Sequence, residues 1–387
     1  MPFTSRPQMS LAATTMLAAL GAHAASPAAP SLAPSAVLAL AERAADFQIA
    51  SMAAGWVPPN AAYETPDRKG WVQGAFLAGL TALAERSARP LYRQTILLRG
   101  AANEWKLGPR MYHADDQVIA QSYVWAARHG AGEAALGPAR HQLDAILARP
   151  SRVPLAFFAE AGVDCQTRWC WCDAIFMGPP LWAAMSQATG DARYADFAKE
   201  ELEAATSYLY DRQEHLYYRD SRYFERRGPD GEKVFWSRGN GWVFAGLART
   251  LDALQSDDPG RAALEKIFTE MALKLKAIQK PDGYWSPSLL GDPAKSLPES
   301  SGTAFYTYGL AWGIGHGLLE RARFEPALRR GWDALARSLH PDGKFGNVQP
   351  IGDSPDKVNY DDTQYYGVGA FLLAAGAVAD LKLDSAK

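Results

Sequence analysis

A block recurs six times along this chain of 387 residues, each copy a polar or aromatic cluster that runs directly into a Gly/Ala-rich apolar helix start. The copies read Gly70-Trp-Val-Gln-Gly-Ala-Phe-Leu, Ala114-Asp-Asp-Gln-Val-Ile-Ala-Gln, Trp171-Cys-Asp-Ala-Ile-Phe-Met-Gly, Trp236-Ser-Arg-Gly-Asn-Gly-Trp-Val, Glu299-Ser-Ser-Gly-Thr-Ala-Phe-Tyr and Asp361-Asp-Thr-Gln-Tyr-Tyr-Gly-Val. They lie roughly 45 to 65 residues apart, enough for one helical hairpin each. Six hairpins in a ring bring every cluster to the same mouth, a deep bowl rimmed by carboxylates, Trp, Arg and Asn.

Between the blocks the apolar positions keep helical spacing, as in Val37, Leu40, Ala41, Ala44 and Phe47, or Leu247, Leu251 and Leu254, and strands have little support. Turn signals punctuate the helices, among them Gly-Asp at 190–191, Asp-Pro-Gly at 258–260 and Pro-Asp-Gly at 281–283 and again at 341–343. The two Pro-Asp-Gly copies predict equivalent loops between an outer helix and the next inner one, lining the bowl. Asp220 to Val234 reads as an elaborated loop of the same kind. A ring closes only as a whole, so the length belongs to one domain despite its size.

A formal net charge of −2 gives no field to recruit a nucleic acid, and an apolar fraction near one half supports a large core. Twelve Trp, 16 Tyr and 15 Phe suit the stacking of sugar rings, although many must fill space between helices. Arg6, the apolar run Leu11 to Leu20 and Ala22-His-Ala24 have the layout of a secretory signal peptide. Residues 1–24 are therefore expected to be removed, 25–35 to be a linker and 36–387 to form one domain. The mature protein is expected to be exported to a bacterial periplasm and not embedded in a membrane. In an oxidising compartment Cys165 and Cys170 can close a small loop and leave Cys172 buried and free, while no nearby His completes a zinc site.

Asp173 stands out as an acid, flanked by Trp171, Cys172, Ile175, Phe176 and Met177 with no basic neighbour in the run. Apolar surroundings penalise the ionised form, so its carboxyl keeps a proton to higher pH and can serve as a general acid; an N-cap is the competing role. Of the adjacent pair Asp115 and Asp116, one is expected to cap the helix and the other to face the bowl, with Gln117 next to them. Neither this pair nor Asp361-Asp362 has the spacing of a calcium loop. The run Trp236 to Trp242 sets Arg238 and Asn240 between two stacking platforms, and Trp71 belongs to the equivalent block. Arg219 and Arg222 supply further guanidiniums suited to a ligand carboxylate, with Arg226 and Arg227 read as solvated charge. Ser301 and Thr303 offer hydroxyls that bond sugar oxygens or cap a helix.

With these blocks assembled, the chain resembles the unsaturated rhamnogalacturonyl hydrolases of glycoside hydrolase family 105, which are related to the unsaturated glucuronyl hydrolases of family 88. The resemblance runs over essentially the whole mature chain, and Trp171 to Pro180 and Trp236 to Trp242 are its most specific parts. It implies an all-α (α/α)6 barrel without metal or nucleotide cofactor, with Asp173 as catalytic acid and Asp116 assisting. The implied substrate is a small oligosaccharide ending in the 4,5-unsaturated uronate that a polysaccharide lyase leaves, acted on by a monomer or weak homo-oligomer. The implied reaction hydrates the vinyl ether rather than displacing at C1. Arg238, Arg219, Asn240, Trp236, Trp242, Asp115, Gln117, Trp71, Ser301 and Thr303 are the expected substrate contacts. Some members carry His after Leu-Tyr-Tyr where this chain has Arg219, so the accepted aglycone is open between rhamnose and another sugar. The competing readings are another enzyme on the same toroid, such as an inverting glycosidase or a lyase using Tyr123 or His113 as base, and a non-catalytic sugar-binding protein.

Overall fold

The computed structural model describes residues 1–2, 31–59, 66–157 and 162–384, so the signal-peptide reading of residues 1–24 lies outside the described residues. Along the chain run α1 (Pro34–Ala53), α2 (Trp71–Ala84), α3 (Pro90–Ala102), α4 (Ala120–Ala126), α5 (Gly137–Ala148), α6 (Ala174–Met177), α7 (Pro179–Thr189) and α8 (Ala192–Leu209). A two-stranded ribbon of β1 (Tyr210–Asp211) and β2 (Leu216–Tyr217) follows, then α9 (Ser237–Ala253), α10 (Arg261–Ile278), α11 (Ser300–Gly315), α12 (Arg321–Ser338) and α13 (Tyr365–Asp380). The ring runs α2, α4, α6 with α7, α9, α11 and α13, each packed on the next, and α13 returns to α2. Outer helices α1, α3, α5, α8, α10 and α12 bury one face only, whereas α2, α11 and α13 are buried almost all round. This is the six-hairpin arrangement expected from the repeat.

Small residues let the inner helices close the ring. A methyl group on Gly79 would lie 2.1 Å from the Gly369 carbonyl oxygen, and one on Gly369 would lie 2.3 Å from that of Ala75. The seam between the first and last inner helices therefore tolerates no side chain at either position. Local signals set the boundaries elsewhere: α7 opens on Pro179-Pro180 and stops at Gly190, and Asp191 then caps α8 by accepting from the Arg193 amide. The two Pro-Asp-Gly loops repeat atom for atom. Lys280 N–H donates to Tyr284 O and His340 N–H to Lys344 O, with Gly283 and Gly343 at φ of 91° and 96°, values that favour glycine.

One boundary needs correcting. Leu32 is buried and its amide donates to Asp384 Oδ2 at 2.8 Å, and α1 begins at Pro34, so the end of the expected 25–35 linker belongs to the barrel. Packing of the helix start against the C-terminal segment, invisible in a Pro/Ala-rich string, is the reason.

Candidate active site

Every one of the six recurring blocks sits at the N-terminal end of an inner helix, so their polar residues gather at one mouth. The centre of that mouth is assembled by backbone and amide clamps. Cys165 and Cys170 are disulfide-bonded and Cys172 is free and buried. The Cys172 amide donates to Arg219 O at 2.8 Å, which ties the Asp173 turn to the segment after β2. That segment is held by Asn240, whose Oδ1 accepts from Tyr217 N–H at 2.7 Å and whose Nδ2 donates to Tyr217 O at 2.9 Å. These ties bring the Arg219 Nε to 3.8 Å from Asp173 Oδ2.

Asp173 makes no side-chain cap to α6, so the competing N-cap role is not the one it plays here. Burial raises its carboxyl above the usual range, against the opposing pull of Arg219, Arg238 and a Cys172 Sγ–H donated at 3.4 Å. Asp115 lies in the same field. Burial first and repulsion from Asp173 second push its carboxyl up to about 7, although its side chain is still 19% exposed towards the mouth. Two carboxyls that disfavour simultaneous ionisation in one desolvated site hold a proton near neutrality. Arg219 stays charged: burial works against it, but Asp173 and Asp220 outweigh that, and its Nη1 donates to Asp220 Oδ2 at 2.6 Å.

The pair at 115–116 is split between structure and site, but neither carboxylate caps the helix as expected, and the two roles are reversed. Asp116 was expected to face the site; instead its Oδ1 accepts from Arg110 Nη2 at 2.6 Å and Nε at 3.0 Å, and its Oδ2 from the Arg110 amide at 2.7 Å. Gly108 leaves room for that carboxylate, since a methyl there would lie 2.5 Å from Asp116 Cγ. Asp116 thus closes a loop, and Asp115 is the member of the pair that feels the charge of Asp173.

Several other expected contacts are used internally. Arg238 is fully buried and donates to the carbonyls of Gln349 at 2.7 Å, Pro350 at 3.0 Å and Gly352 at 3.2 Å, with its guanidinium stacked between Trp236 and Tyr366. It pins the loop before α13 and acts on Asp173 only through its charge. Asn240 is the clamp already described. Trp236 is buried and donates to Gln349 Oε1 at 2.8 Å, while Trp242 packs among Phe305, Phe176 and Tyr366 beneath the mouth. Gln117 accepts from Trp182 Nε1 and donates to the Met111 and Tyr112 carbonyls. Ser301 and Thr303 are buried: Glu299 caps α11 by accepting from the Ser301 and Gly302 amides, Ser301 Oγ donates to Glu299, and Thr303 Oγ1 donates to the Glu299 carbonyl. Trp71 remains partly exposed, stacked on Tyr366 at 5.1 Å, and alone of the three Trp keeps a face that a sugar can reach.

The second Asp pair serves a loop, with Asp361 on Lys344 and Asp362 accepting from the Asn359 amide. His113, named from the sequence only as a candidate lyase base, belongs to the site. Its ring packs on Trp171 at 4.8 Å, its Nδ1 accepts from the Asp115 amide at 3.3 Å, and burial, then Arg110, lower its pKa to about 3. The signal was its place two residues before Asp115. As a lyase base His113 is unsuited, because its one lone pair is already engaged. Tyr123, the other base considered, has its hydroxyl between Asn103 Nδ2 and the Lys106 carbonyl and is raised further by burial. Among the described residues no group of three or more His, Cys, Asp or Glu is placed to hold a metal ion.

The glycosyl hydrolase family 88 model matches residues 40–381. An unsaturated 3S-rhamnoglycuronyl hydrolase of Alteromonas sp. (strain LOR) is 37% identical over 348 residues, 87% of this chain and 84% of that protein. Two solved structures are similar at 28% identity: one described as a polysaccharide lyase, with TM-score 0.79 over 92% of this chain and 99% of its own, and a family 88 glycosyl hydrolase from Bacteroides vulgatus, with TM-score 0.77 over 91% and 100%. A match to the family model across nearly the whole barrel, with the expected acid in a desolvated carboxyl pair at its mouth, places the chain in glycosyl hydrolase family 88 as a glycoside hydrolase.

Proposed function

We propose that this enzyme removes a 4,5-unsaturated uronic acid from the non-reducing end of a lyase-generated oligosaccharide, and that the sugar it releases is a 3-sulfated rhamnose. The observation that carries the chemistry is the coupled pair Asp115 and Asp173 beside Arg219. The released sugar follows from the relative's name at 37% identity. Asp173 donates its proton to C4 of the vinyl ether, and positive charge develops at C5, shared with the ring oxygen. A water molecule adds through oxygen to C5 and returns a proton to the Asp173 carboxylate. The resulting hemiketal opens at the bond between C5 and the ring oxygen, leaving a ketone at C5 and a hemiacetal at C1. That hemiacetal collapses to the aldehyde and expels the next sugar as its alcohol, so one water is consumed overall and the acid is regenerated. Asp115, the like charge nearby, keeps the proton on the pair near neutral pH.

Export to a periplasm rests on the layout of residues 1–24, and N-terminal sequencing of the secreted protein tests it. Among the described residues no helix is long and apolar enough to cross a membrane. The activity test is incubation with unsaturated disaccharides carrying rhamnose, sulfated rhamnose or another sugar next to the uronate. Loss of the unsaturated ring's absorbance, fastest with sulfated rhamnose, is the expected result; a gain in absorbance from polymer indicates a lyase. Equal rates on all three remove the proposed preference.

A further inference from the structure

Two buried donors at the mouth have no acceptor among the described residues: His113 Nε2 and Arg219 Nε. Their chemistry is determined by what their other atoms do. His113 Nδ1 accepts the Asp115 amide, so the single proton of the neutral ring is on Nε2, and that N–H is a fixed donor. His113 is held neutral by burial and by the charges of Arg110 and Arg219. Its side chain is 7% exposed, and stacking on Trp171 fixes the ring plane. Arg219 spends Nη1 on Asp220 and leaves Nε–H facing Asp173 at 3.8 Å, too long for a hydrogen bond.

A buried N–H without an acceptor is costly, and a site that carries two of them next to its acid is built for a ligand that brings acceptors. Arg238, one of the expected substrate contacts, is consumed by three backbone carbonyls, which leaves Arg219. We propose that His113 is a specificity residue, and that its Nε2–H together with Arg219 Nε–H receives the carboxylate of the unsaturated uronyl substrate. The proposal rests on the uronyl reading above. The carboxylate carbon is bonded to C5, which is bonded to C4; a carboxylate held at Arg219 therefore brings C4 to the acid at Asp173. A neutral imidazole suits this place, because it donates without adding a cation that would strip the proton from Asp115 and Asp173.

The test compares the uronate substrate with its neutral uronamide, which keeps the size and the double bond. His113→Phe retains the ring against Trp171 but removes both the Nε2 donor and the Nδ1 acceptor of the Asp115 amide, so the ratio of the two substrates is the readout; His113→Gln restores an N–H of different reach. The expected result is that His113→Phe lowers kcat/KM on the uronate about 10- to 100-fold further than it lowers kcat/KM on the uronamide, mostly through KM. His113→Gln recovers part of the loss. Equal losses on both substrates, or a loss that tracks a fall in Tm and is not recovered by Gln, overturn the proposal. Absence of any turnover by the wild type on unsaturated uronyl substrates overturns the activity reading itself, which the wild-type arm reports independently of the variants.

Discussion

At the mouth formed by the N-termini of the inner helices, four of the buried polar atoms without partners among the described residues are found, on His113, Arg219, Ser237 and Arg238. The opposite mouth holds a cavity of about 580 Å³ and none of those atoms. Its charged groups are closed into clasps. Trp125 and His129 stack at 3.9 Å, and Glu85 accepts from Trp125 Nε1 and lies 3.0 Å from His129 Nε2. Half a turn around the ring, Trp312 and His316 stack at 4.4 Å, with Asp252 on Trp312 Nε1 and His316 Nε2. In both copies the His Nδ1 bonds the Trp carbonyl one helical turn earlier. Arg86 forks onto Asp380 and joins the first inner helix to the last. Cavity size alone does not choose between the mouths, because the loops at 226–234 and 355–358 line a second cavity of about 580 Å³; polar groups left unsatisfied choose the near one. A site that must bind and react keeps donors and acids in reserve, whereas an end that only closes the barrel spends them.

The contrast is sharpest in activity. Asp173→Asn is expected to lower kcat by about 100- to 10,000-fold with Tm nearly unchanged, because the amide fills the same volume and has no proton to give. Asp252→Asn at the far mouth is expected to leave kcat within about twofold. Initial rates on an unsaturated disaccharide measure both, and a comparable loss in Asp252→Asn breaks the comparison.

Next in size is Asp115→Asn, expected to slow turnover by roughly 10-fold, since the site loses the carboxyl that burial and Asp173 push up to about 7 beside the acid. Its effect on stability has the opposite sign. Asp115 titrates near 7 in the folded protein, above its unfolded value, so folding loses stability as pH rises from the unfolded value through about 7. The Asn variant is therefore expected to melt higher than wild type at pH 8 by roughly 2 to 5 °C and to lose that advantage at pH 4. A pH-independent difference in Tm would show that Asp115 is not desolvated.

Arg238→Met tests whether a cation at the near mouth has gone over to the structural side. Three carbonyls lose their donor, so Tm is expected to fall by several degrees while KM for the uronate changes by less than about threefold. A large rise in KM at unchanged Tm returns Arg238 to the ligand.

The smallest effect belongs to the far clasp. A hydrogen bond to Asp252 raises the pKa of His316, so its contribution is complete below the unfolded value and is lost as pH rises through the folded one. His316→Gln is expected to lower Tm by about 1 °C at pH 5.5 and not at pH 9. A loss that grows towards alkaline pH reverses the sign and removes the clasp.

What was legible in the chain follows from how each signal is encoded. The six-hairpin ring was legible because a periodic block requires neighbouring copies to bury its apolar face, and ring closure is the way every copy finds two neighbours. Asp173 was legible because it is an acid set in an apolar run, Trp171 to Met177, with no basic neighbour. The disulfide partners, five residues apart, were legible for the same reason of proximity. Local pattern also said that Asp115 and Asp116 divide between a structural role and the site.

Which of the two faces the site was decided by Arg110 and by the space at Gly108, contacts that a loop makes only once it has folded back. The same holds for Arg238, Asn240 and Gln117, whereas Ser301 and Thr303 are consumed locally by Glu299 in the first turn of α11, the capping role that the sequence also offered. Three of these partnerships reach across the fold: Arg238 to the loop before α13, Gln117 to Trp182 and Asn240 to Tyr217. A polar residue in a sequence states only what it can donate or accept. For Arg238, Gln117 and Asn240, whether that capacity is spent inside the protein or kept for a ligand depends on partners 111, 65 and 23 residues away, and only tertiary structure brings them to about 3 Å.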